Sequence, residues 1–117
     1  MTRVLVVDDE NDIRGLVRDR AKVATTVGFG PRFLHSTGQA HKGGPDSGVF
    51  LQITADAVED APVPGQRYTF ATIELAQARG DFEVLNERGR RVLRVHLGAH
   101  VAAGLSILKT AVRQALA

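Results

Sequence analysis

The sequence contains no cysteine and no tryptophan. Neither a disulfide framework nor a thiolate metal site can hold the fold, and a catalytic thiol is excluded. Stability must come from packing. Aromatic residues make up only 5% of the chain, too few for a platform that stacks single-stranded nucleic acid. There is no run of about 18 apolar residues to form a membrane-spanning helix. Acidic residues arrive by Asp8, too early for the apolar stretch of a signal peptide. The expectation is a soluble cytoplasmic protein that does not engage a membrane.

One-signed charge is also lacking. Fifteen Lys and Arg stand against 13 Asp and Glu, leaving +2 with histidines neutral. The one basic cluster, Arg88, Arg90, Arg91 and Arg94, reads as a solvated helix end and strand edge, so no nucleic-acid partner is expected. A chain of 117 residues has room for one small core. An active site built between two full domains cannot be complete within it.

What is present alternates between strand and helix. Arg3 to Val7 is a β-branched run ending at Asp8-Asp9, which predicts a buried strand with an acidic carboxyl end. Ile13, Leu16 and Val17 then recur at helical spacing, predicting a helix to about Val23 or Ala24, capped by Asp9 or Asn11. Gly28 to Pro31 breaks it. A polar, glycine-rich stretch runs from Leu34 to Gly48 and leads into a second strand, Val49 to Thr54. Asp56 to Gln66, with two prolines, reads as a loop. Tyr68 to Arg88 predicts a helix that Gly80-Asp81 could split, with Asp81 capping the second half and Gly89 ending it. Arg91 to Leu97 is a third strand. Val101 to Ala115 is a last helix with Leu105, Leu108 and Val112 on one face. Strands separated by helices imply an α/β protein, with a mainly parallel sheet between flanking helices in three layers. Such sheets bind ligands at the carboxyl ends of their strands.

Two family resemblances divide the chain. Residues 1–19, MTRVLVVDDENDIRGLVRD, resemble the start of a response-regulator receiver domain. In that family an acidic pair ending a strand helps hold magnesium beside a phosphorylated aspartate. The resemblance puts Asp8 and Asp9 in the metal role, which suits a hard cation, and Asp56, after VFLQIT, in the phosphoacceptor role. The family's later Thr or Ser and its Lys-Pro have no counterparts here. Without the resemblance, Asp8-Asp9 reads as a helix cap.

Residues 20–117 carry LHSTGQ, HKGGP, PVPG, AQARGD and RVLRVHLG in order. Together these blocks resemble the carboxyl-terminal sugar-isomerase (SIS) domain of bacterial glucose-6-phosphate isomerases, closest to the version fused behind a transaldolase. The resemblance implies a partial SIS-type, flavodoxin-like fold. It also implies an intramolecular oxidoreductase of glycolysis and gluconeogenesis, which interconverts glucose 6-phosphate and fructose 6-phosphate through an enediol without a cofactor. By its place in LHSTGQ, His35 corresponds to the histidine that assists ring opening. An imidazole, with an ordinary pKa of about 6.5, can take and give a proton near neutrality. Ser36, Thr37, Gln39, His41 and Lys42 are the implied substrate-binding residues, and the ligand would be a sugar phosphate.

His96 and His100 belong to no motif role and read as structural or exposed. Four scattered histidines without cysteine make a poor metal site. The family's Gly-Glu-Ser segment, which carries the proton-shuttling glutamate, has no counterpart in this sequence, and Lys109 does not stand in the family's terminal lysine motif. The expectation is therefore a domain without isomerase activity alone, for which another chain would supply the missing isomerase domain.

Overall fold

The computed structural model describes residues 7–28, 40–57 and 59–117. The elements are α1 (Val7–Ala21), α2 (Ala40–Gly43), β1 (Val49–Thr54), α3 (Phe70–Glu87), β2 (Arg91–His96) and α4 (Val101–Ala115). The chain is thus α/β. Among the described residues the sheet has two strands, paired in parallel with Val49 opposite Arg91 and Thr54 opposite His96.

Parallel pairing requires a crossover, and α3 supplies it. The ladder continues past both strands: Leu97 N donates to Thr54 O at 2.8 Å and Asp56 N donates to Gly98 O at 3.0 Å. Alternation along β1 sends Leu51 and Ile53 to one face and Gln52 and Thr54 to the other. On the first face, Leu51, Ile53, Val95 and Leu97 pack against Ile13 of α1 and Leu105 and Leu108 of α4. Leu105 is fully buried, which stabilises the fold by about 2 kcal/mol relative to an exposed leucine. On the second face lies α3, where Gln52 Nε2 donates to the Ala78 carbonyl at 2.9 Å. Gly104 lets α4 approach closely, since a Cβ there would stand 2.8 Å from the Leu97 Cβ and 3.0 Å from its carbonyl oxygen.

The start of the chain departs from expectation. Val7 and the acidic residues after it are helical, so Asp8 and Asp9 stand in the first turns of α1 and not at the end of a strand. Acidic residues complement the positive end of a helix, which favours a helix reaching back this far. The rest of the expected first strand, 3–6, lies outside the described residues. The carboxyl end also comes early. Lys22 adopts φ 57°, its N–H donating to Arg18 O at 3.0 Å, so α1 stops at Ala21 before Val23.

The long helix is unbroken through Gly80-Asp81. Its start is held by Thr69, whose Oγ1 accepts from Thr72 N at 3.3 Å, and by Asp60, whose Oδ1 accepts from Ala71 N at 3.0 Å. Its end is a Schellman motif: Arg90 N donates to Leu85 O and Gly89 N donates to Asn86 O, with Gly89 at φ 71°. The cap expected at Asp81 is absent because that side chain is fully buried and has another use.

Candidate functional site

Helix α2 and the loop that follows it form the first place where sequence expectation meets geometry. His35, Ser36, Thr37 and Gln39 lie outside the described residues. His41 and Lys42 are on α2. The His41 ring meets Phe50 edge-on, with centroids 5.1 Å apart and an interplanar angle of 64°. Lys42 Nζ lies 2.8 Å from Asp81 Oδ1, and the two side chains are 14% and 0% exposed. The ammonium is therefore engaged by a buried carboxylate, and Asp81 receives a charged partner that justifies its place inside the protein.

Arg90 gathers the same loop. Its Nη2 donates to Gly44 O at 2.7 Å and Lys42 O at 3.2 Å, and its Nη1 lies 3.4 Å from Asp46 Oδ1. Arg91 Nη2 reaches Asp46 Oδ1 at 3.0 Å. The planar guanidinium of Arg90 presents its donors as a fork, and the loop wraps its carbonyls around that fork.

The second place is the carboxyl end of the sheet. There a cleft of about 150 Å³ is lined by Thr54, Ala55, Asp56 and Ala57 from the end of β1, by Ala71, Glu74, Leu75 and Ala78 of α3, and by His96. Three of these side chains form a chain of hydrogen bonds. His96 Nδ1 lies 2.8 Å from Thr54 Oγ1, and His96 Nε2 lies 2.9 Å from Asp56 Oδ1. A carboxylate only accepts, so with the imidazole neutral Nε2 carries the proton and Nδ1 accepts from the threonine hydroxyl. Thr54 is buried at 3% exposure, whereas the His96 and Asp56 side chains are 45% and 57% exposed. The arrangement thus runs from a solvent-facing carboxylate through an imidazole to a sheltered hydroxyl.

Sequence reasoning singled out Asp56 for a different role and missed Thr54 and His96. The two fall together because β1 and β2 pair with Thr54 opposite His96. Ending both apolar runs at one level would have found the pair. Among the described residues no group of three or more His, Asp or Glu side chains is placed to hold a metal ion, and no helix is long and apolar enough to cross a membrane. A second cavity, of about 200 Å³, opens between α1, residues 25–28 and β1, with Ile13, Val17, Val27 and Leu51 on its walls.

Compared with protein-family models, curated proteins and solved structures, the chain matches none.

Proposed function

We propose that the chain is part of a sugar-isomerase-type domain, of the three-layer, flavodoxin-like kind, that binds a sugar phosphate and needs another chain to complete its catalytic site. One observation supports this reading above others. HKGGP is joined in space to AQARGD through Lys42 and Asp81, and to Arg90, the residue before RVLRVHLG, through the Lys42 and Gly44 carbonyls. Motif-bearing segments that cohere in this way are what a substrate loop braced on a parallel sheet requires. His41 stands in the same loop, and His35 is the residue this reading places at the ring oxygen.

Isomerisation by the enediol route needs a base within hydrogen-bond reach of the carbon-bound proton, and the sequence holds no counterpart of the glutamate segment. The chain alone is therefore expected to give no turnover of glucose 6-phosphate in a coupled assay. Turnover at an ordinary enzyme rate, about 1 s⁻¹ or faster, would refute that. Titration with fructose 6-phosphate, followed by NMR at the His41 ring and the amides of residues 40–46, tests the ligand class. Saturable shifts there support the reading, and their absence at millimolar ligand counts against it.

A receiver-like reading draws on one placement, the exposed Asp56 at the end of a parallel strand. Its magnesium pair would be Asp8 and Asp9, which stand in α1. Magnesium-dependent labelling of Asp56 by acetyl phosphate would favour it over the isomerase reading.

A further inference from the structure

The hydrogen-bonded chain at the carboxyl end of the sheet does not enter the isomerase reading, yet it has the elements of nucleophilic catalysis. A hydroxyl alone is a weak nucleophile, and an adjacent base, itself oriented by a third group, activates it. Here the base is 2.8 Å from the hydroxyl and the orienting carboxylate 2.9 Å from the base. The tautomer that Asp56 selects leaves the basic nitrogen facing the Thr54 hydroxyl. Compared with the usual acid, base and hydroxyl constellation the two ring nitrogens have exchanged places, which alters the route but not the roles.

We propose that Thr54 Oγ1 is an acyl acceptor, activated by His96 and served by Asp56 as a positioning residue, for small neutral or cationic esters. The cleft sets the substrate class. Its volume of about 150 Å³ and its alanine-rich wall admit a short acyl chain. Glu74 and Asp56, both on its lining, disfavour an anionic one. Thr54 is buried at 3% exposure and is one of the residues that line the cleft, which shelters its side chain from bulk solvent.

In the acylation step His96 Nδ1 takes the hydroxyl proton as Oγ1 bonds to the ester carbonyl carbon, and the carbonyl π pair moves to its oxygen. Collapse of that adduct breaks the bond to the leaving oxygen, which receives the proton from Nδ1. Water then reverses the sequence: it attacks the threonine ester, His96 again takes and returns the proton, and the carboxylic acid leaves.

The test uses the full chain and p-nitrophenyl acetate. The expected result is a burst of p-nitrophenolate approaching one equivalent per chain, with an acetyl adduct on the peptide that contains Thr54. Thr54→Ser keeps the burst, Thr54→Val abolishes it, and His96→Gln slows it about 100-fold. Asp56→Asn slows it at least tenfold and changes the pH profile of the burst, which a purely structural role would not do. Circular dichroism checks each variant. Should Thr54→Val fail to fold, the adduct position and the His96→Gln rate decide. Adducts confined to lysines or the amino terminus, or a wild-type burst in His96→Gln, would overturn the proposal.

Discussion

Replacing Lys42 with methionine keeps most of the aliphatic stem and removes the ammonium that sits 2.8 Å from Asp81 Oδ1. The carboxylate stays where the fold has put it, at 0% exposure, now without the Lys42 ammonium. Removing one member of a buried ion pair costs about 3–5 kcal/mol, because the charge left behind has lost the interaction that offset its desolvation. Lys42 retains some solvent contact, with 14% of its side chain exposed, so the lower part of that range applies, about 3 kcal/mol. Against a total stability of roughly 5–15 kcal/mol for a domain, this is a large fraction. For a domain of this size it corresponds to a fall in Tm of about 10 °C or more. Urea titrations of Lys42→Met, Asp81→Asn and the double variant measure the cost and the coupling together. The double variant should be more stable than Lys42→Met, since the amide leaves no buried charge. If Lys42→Met falls within about 0.5 kcal/mol of the parent, the range of ordinary surface changes, the reasoning that the pair is buried and coupled fails.

Gly104→Ala sets two effects against each other. Helix propensity alone would stabilise the variant by up to about 1 kcal/mol, but the new Cβ would meet the Leu97 Cβ at 2.8 Å and carbonyl at 3.0 Å, for which overpacking costs about 1–3 kcal/mol. A lower urea midpoint is expected, and a higher one would show that α4 can shift away from Leu97. Asp60 is held below its ordinary carboxyl range by the Thr69 hydroxyl first and by the Ala71 and Ala61 N–H groups after it. A depressed folded-state value means that its contribution is fully present above the unfolded value near 3.8 and is lost as pH falls through the folded one. Asp60→Asn should therefore flatten the stability profile below about pH 4 and leave its pH dependence near neutrality unchanged.

The parts legible in the sequence are those written locally. The Leu105, Leu108 and Val112 stripe marks α4 from Val101 to Ala115, the bounds observed. VFLQIT marks β1, and Gly89 marks the end of α3. Asp81 was misleading because an aspartate after glycine suits a helix start, and its partner Lys42 lies 39 residues away. Val7 was misleading in the opposite sense, since a β-branched run suits a strand while the acidic residues behind it suit a helix. The Thr54 and His96 pair escaped a segment-by-segment reading for the same reason as the Asp81 pair. Their meeting depends on strand register, which no short window contains.

The parallel pairing of β1 and β2 has a kinetic consequence. Thr54 and His96 are 42 residues apart, and Arg90 reaches back 46 and 48 residues to the carbonyls it binds. None of these contacts can reward the chain until a loop of that length has closed, whereas α3 gains its hydrogen bonds turn by turn. The helix is thus expected to form early and the sheet late. The cleft at the strand ends, and with it the hydroxyl, imidazole and carboxylate, would come into being among the last events of folding.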